Sequence, residues 1–133
     1  DYFDVESFRV IVERRHDAKG DLVTVSEAVV KVNVDGDVFH NVGLGNGPVN
    51  ALDQALRKDL GKYSAALSDL RLVDYKVRIL TGGTEAVTRV MVESADGKGG
   101  RWSTVGVSPN IVDASFEALT DSIRYKLFRD SAR

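Results

Sequence analysis

FHNVGLGNGPVNALDQAL (residues 39–56) and WSTVGVSPNIVDASFEAL (102–119) are two copies of one pattern. They share Val42/Val105, Gly43/Gly106, Val49/Val112, Ala51/Ala114, Ala55/Ala118 and Leu56/Leu119 in register. Upstream, SEAVVKVNV (26–34) matches TEAVTRVMV (84–92), and SFRV (7–10) takes the place of DYKV (74–77). Three matches in the same order, separated by loops of different length, mark an internal duplication.

Each copy reads as three strands and a helix. A first strand is expected over 7–14, with Phe8, Val10 and Val12 on one face and Arg9, Ile11 and Glu13 on the other. A second, over 26–34, puts Ala28, Val30, Val32 and Val34 on one face. Asp35-Gly36 then marks a tight hairpin into a third strand over 38–44. In the second copy strands are expected near 72–80, 85–93 and 101–107. Val49, Leu52, Leu56 and Leu60 form a helical apolar stripe, with Gly61 as its stop. Val112, Ala118, Leu119 and Ile123 take the equivalent places in a second helix ending near Phe128. The expected fold class is α+β: two βββα units with pseudo-twofold symmetry, about 6–67 and about 70–128, sheet packed against helices in a single domain over 1–133. Ile11, Val29, Val87 and Met91 would lie on the outer sheet faces, where an apolar patch is expected to serve dimerisation.

Composition narrows the function. A chain of 133 residues fits one domain. Its formal net charge of −2 gives no basic excess for nucleic acid. No apolar run reaches the roughly 18 residues of a membrane span. Cysteine is absent, which excludes disulfides and thiolate metal ligands and fits a cytoplasmic location. His16 and His40 stand alone, so no metal site is expected, and no nucleophile elbow or acid-base pair stands out. The chain starts at Asp1 and its one methionine is Met91, so a fragment of a longer protein is expected.

The glycine loop GLGNGP (43–48) contains no lysine for a P-loop, and its every-second-residue glycines do not fit a dinucleotide fingerprint. Pro48 suits the first helical position, with Gly47 as N-cap. The repeat mate of Gly47, Asn110, is a better cap; Ser108-Pro109 offers another one step earlier, and the sequence leaves both open. Both helix starts present free N–H groups and a positive dipole end, suited to a carboxylate or a phosphate. The second copy turns without extra glycines, so close approach of a ligand or a second chain is the expected reason for Gly45 and Gly47.

GNGPVNALDQALRK (45–58), LVDYKVRIL (72–80) and RWSTVGVSPNIVDASFEALTDSIRYKL (101–127) closely resemble the C-terminal regulatory domain of the 2-isopropylmalate synthase family, in its citramalate synthase branch. The resemblance covers roughly residues 6–128. It implies an allosteric domain that dimerises, needs no cofactor or metal of its own, and binds the pathway's end-product amino acid, isoleucine or leucine. The reaction, an acyl transfer from acetyl-CoA to a 2-oxo acid, would belong to a catalytic domain elsewhere in the parent chain. Carried over by position, the amino-acid site falls on Gly45, Asn46, Gly47, Pro48 and Ala51, on Thr84 and Ala86, and on Ser108, Pro109 and Asn110. The competing expectation is a purely structural dimerisation module without ligand. An RNA-binding domain or a stand-alone enzyme finds no support in the charge balance or the residue inventory.

Overall fold

The computed structural model describes residues 2–82 and 85–131. The element order is β1 (Asp4–His16), β2 (Leu22–Val34), β3 (Asp37–Gly45), α1 (Pro48–Lys58), β4 (Arg71–Gly82), β5 (Glu85–Ala95), β6 (Arg101–Ser108) and α2 (Ile111–Ser131), with short 3-10 turns at Gly61–Tyr63 and Ala65–Leu67. Strands β1-β2-β3 form one antiparallel sheet and β4-β5-β6 a second. Each sheet is followed by its helix, so the chain is a duplicated βββα protein of the α+β class. It divides into two compact units that meet in sequence between Gly61 and Lys62.

In the first unit the alternating valines of β2 face α1. Ala28, Val30 and Val32 are fully buried against Ala51, Leu52, Ala55 and Leu56. The β2–β3 hairpin turns at Asp35 (φ 53°) and Gly36 (φ 90°), and Asn33 Oδ1 accepts the Gly36 N–H. α1 ends three residues before the expected stop: Asp59 is already extended, so Leu60 lies outside the helix and Gly61, at φ 59°, opens the following 3-10 turn in the left-handed conformation that glycine adopts without a Cβ penalty. In the second unit Val90 and Val92 pack on Ala114, Ala118, Leu119 and Ile123.

Two glycines set the distance between helix and sheet. A Cβ on Gly43 would strike the Ala51 carbonyl oxygen and lie 2.5 Å from the Ala55 nitrogen. A Cβ on Gly106 would strike the Ala114 carbonyl oxygen and lie 3.0 Å from the Ala118 nitrogen. The duplicated glycine is therefore a packing requirement: the helix backbone rests directly on the third strand.

The ladders correct the sequence match in the middle strand. Ala28 pairs with Gly43 in the first unit, whereas Val90 pairs with Gly106 in the second. Ala28 therefore corresponds to Val90, four residues beyond the Ala86 that the SEAV/TEAV similarity selects. A strand repeats its facing every two residues, so a shift of four leaves every valine on its proper side and the similarity cannot fix the register. The first strands agree with the match, since Val10 pairs with Ala28 and Val77 with Val90.

Exposed apolar residues occur on both faces of the sheets. On the outer faces Ile11 is exposed, but Val29, Val87 and Met91 are half-buried among charged neighbours. Val42, Leu44, Leu80 and Val107 are also exposed on these outer faces, and a second uncovered apolar strip lies on the helix side of the first strands. Val12 is 57% exposed there, Tyr75 47%, Val77 41% and Ile79 65%. A helix about 10 Å across covers roughly two strands spaced about 4.8 Å apart, so the third is left overhanging.

Candidate functional site

The glycine loop and the first turn of α1 form one structural group: Gly45, Asn46, Gly47, Pro48 and Ala51. Gly45 ends β3 opposite Ser26. Its Cβ position is occupied by the chain's own helix, striking Asn50 Oδ1 with the Ala51 nitrogen 2.8 Å away. The absent side chain at Gly45 is thus explained by the entry into α1. Gly47 differs. A Cβ there would meet nothing within 4 Å, and its backbone is extended (φ −163°), a conformation open to any residue.

The two helix starts are not alike. Pro48 occupies the start of α1, and no side chain caps it. The first intrahelical bond runs from the Ala51 N–H to the Gly47 carbonyl at 3.0 Å. In α2 the choice left open by the sequence falls to Asn110, whose Oδ1 accepts the N–H of Val112 at 2.8 Å and of Asp113 at 3.2 Å. Ser108 Oγ accepts the Asn110 N–H at 3.2 Å. A helix start leaves donors that need acceptors. The second unit supplies one from its own sequence; the first, with glycine at that position, does not.

The remaining predicted residues belong to the second unit. Ser108 pairs with Thr88 at the end of β6, and Ala86 lies two residues earlier on the same side of β5, exposed. Pro109 is exposed beside Asn110. Thr84 lies outside the described residues. The structure therefore places the predicted positions in two groups, one in each unit.

Two features escaped sequence reasoning. A concavity of about 490 Å³ flanks α1, lined by Val42, Leu44, Gln54, Arg57 and Lys58. Its cations are already engaged. Arg57 donates to Asp53 at 2.8 Å, and Lys58 to the Val42 carbonyl at 3.2 Å. Burial pushes the Asp53 carboxyl up, against the opposing pull of Arg57.

The second feature is a buried lysine. Lys126, on α2, is only 1% exposed and lies 2.7 Å from Asp130, 3.1 Å from Asp69 and 3.9 Å from Asp96. Asp69 belongs to the segment before β4, and Asp96 to the β5–β6 turn. Burial alone would push the lysine ammonium down, but hydrogen bonds and attraction from Asp130 and Asp69 hold it above its usual range. The Gly97 N–H, then Lys126, lower the Asp69 carboxyl. The Gly100 N–H lowers Asp96 against the opposing effect of burial, with help from the Lys98 N–H and from Lys126 and Arg129. The signal was a lysine inside an otherwise inward-facing helical position, between Ile123 and Leu127. Among the described residues no group of His, Cys, Asp and Glu side chains is arranged to hold a metal ion, and no helix is long and apolar enough to cross a membrane.

Comparison with known proteins places this architecture. The model of the LeuA allosteric (dimerisation) domain matches residues 1–127. The chain belongs to that family. It is 50% identical over 132 residues to an (R)-citramalate synthase of Aquifex aeolicus, a match covering 98% of this chain and 24% of that protein. It is 52% identical over 130 residues to an (R)-citramalate synthase of Geobacter sulfurreducens, covering 96% of this chain and 24% of that protein. A 2-isopropylmalate synthase of Methanocaldococcus jannaschii is 31% identical over 99 residues, covering 74% of this chain and 18% of that protein. The chain thus spans about a quarter of the length of the curated citramalate synthases it matches. In this chain the matched region comprises both βββα units, up to Leu127 of α2.

Proposed function

We propose that this domain binds a free branched-chain amino acid, isoleucine in preference to leucine, and transmits feedback inhibition to a citramalate or 2-isopropylmalate synthase catalytic domain in the cytoplasm. Family membership supports an allosteric role, and one structural observation supports the ligand: α1 starts without a side-chain cap while its duplicate α2 is capped by Asn110. In this reading the effector's carboxylate takes at α1 the place that the Asn110 side chain takes at α2. Gly45, Asn46, Gly47, Pro48 and Ala51 form the seat.

Feedback needs two states that the effector distinguishes, and a coupling of about 1–3 kcal/mol gives roughly 5- to 150-fold inhibition. The apolar strips on β1 and β4 supply the surface for the expected homodimer. Phe8, Val10 and Val12 correspond in the ladders to Tyr75, Val77 and Ile79; the row is exposed throughout in the second unit, whereas in the first Phe8 and Val10 are half-buried and Val12 is exposed. An Ile79→Asp chain is expected to remain folded, since Ile79 is 65% exposed, and to dissociate at least about tenfold more readily, the equivalent of about 1.4 kcal/mol. Sedimentation equilibrium measures this; an unchanged dimer would remove the strip from the interface.

A thermal-unfolding series across the twenty amino acids separates the effector reading from a purely structural dimerisation module. At about 100 times its dissociation constant, a ligand confined to the native state adds about 2.7 kcal/mol. Isoleucine is expected to raise the midpoint most. No shift with any amino acid would leave the structural module as the better account.

A further inference from the structure

The outer face of the second sheet carries three neighbouring cations, with Asp74 and Glu93 beyond Lys76 and Met91 on the same face. Arg78 on β4 pairs across the ladder with Arg89 on β5, and Lys76, two residues from Arg78, pairs with Met91. The four share one face and line a shallow concavity of about 190 Å³. None of the three makes an ion pair with an acid among the described residues. Farther along the same face, Glu93 is taken by Arg101 at 3.2 Å. Like charges set directly opposite one another on an antiparallel ladder repel.

The first unit serves as an internal control. Its ladder equivalents of Arg78 and Arg89 are Ile11 and Glu27, which pair with each other in the same way. The equivalent of Lys76 is Arg9. The βββα fold is therefore built equally well with an apolar residue facing a carboxylate, and nothing in its packing calls for two facing guanidinium groups. A guanidinium presents a planar fork of donors that matches phosphate oxygens, and two forks beside an ammonium suit an anion bearing several charges.

We propose that this face is a binding site for a small, multiply charged phosphate-bearing anion, held by Arg78 and Arg89 with Lys76 beside them and Met91 as an apolar wall. The site is separate from the amino-acid seat at α1 and stands whether or not that seat binds. Inorganic tripolyphosphate, titrated calorimetrically into the chain at low ionic strength, tests it. Saturable heat at one site per chain is expected, declining as salt is added, with none from acetate. In the Arg78→Ile, Arg89→Glu chain, which copies the first unit's residues, affinity is expected to fall at least about tenfold, as loss of charge-assisted hydrogen bonds requires. Circular dichroism checks that this chain is folded; Lys76→Gln, at an exposed position, is the second variant and is expected to weaken binding severalfold. Absence of saturable heat overturns the proposal, as does equal affinity in both variants, which would place the anion elsewhere.

Discussion

A Gly106→Ala chain is expected to lose at least about 3 kcal/mol of unfolding free energy, the upper range for forcing extra volume into a packed core. The first carbon of any side chain is what collides, and it collides with backbone: the Ala114 carbonyl oxygen cannot rotate away as a side chain could. The helix must lift from β6, opening contacts along Ala118, Leu119 and Ile123. For a unit of this size the midpoint would fall by about 12–24 °C at about 4–8 °C per kcal/mol. Valine should do little further harm than alanine, because the damage is done at Cβ. Urea unfolding of both variants checks the ordering. A loss below about 1 kcal/mol would mean that helix and sheet are not in direct backbone contact.

Removing the buried cation is expected to have a comparable effect. Lys126→Met leaves the volume nearly filled but strands the carboxylates that surround the ammonium. Breaking a buried ion pair from one side costs about 3–5 kcal/mol, and the lower figure applies because Asp69 is about a third exposed and partly regains water. The pH dependence carries a sign. Asp69 and Asp96 lie below their ordinary value of 3.8 in the folded chain, so their stabilisation is present above that pH and fades as the pH falls through the depressed values. Lys126 lies above its ordinary 10.5, so its stabilisation is complete below that pH and is lost only as the pH rises past it. In Lys126→Met the carboxylates become a liability that protonation relieves. The deficit relative to the parent chain should therefore be largest near neutrality and narrow below about pH 4. Denaturant midpoints across pH measure both limbs; a deficit that does not change with pH would assign the loss to packing alone.

The fold was legible wherever one face of an element is buried. Alternation in β2 and the stripe Val49, Leu52, Leu56 located the middle strand and α1 because burial enforces those periods; Leu60 is buried as well, but past the helix, which ends at Lys58. The strand ends were not legible. β1 continues to His16 through exposed Glu13, Arg14 and Arg15, where neither face is covered and alternation has nothing to record. The duplicated glycine was visible at 43 and 106, yet its cause, a helix backbone lying against the strand, exists only in three dimensions. The same holds for register in the middle strand, where the period of two hides a shift of four. For the candidate site, the sequence located both helix starts and the glycine–asparagine difference between them. It could not distinguish Gly45, filled by the chain's own helix, from Gly47, which faces open space.

That distinction supplies the most direct test of the account. Gly47 tolerates a side chain sterically, and asparagine there would give α1 the cap that Asn110 gives α2. Calorimetric titration of isoleucine into the parent and the Gly47→Asn chain should show one saturable site per chain in the first and at least about tenfold weaker binding in the second, an effect of about 1.4 kcal/mol, with the fold intact. Equal binding in both chains, or none in either, would contradict the claim that an open helix start in the first unit receives the effector.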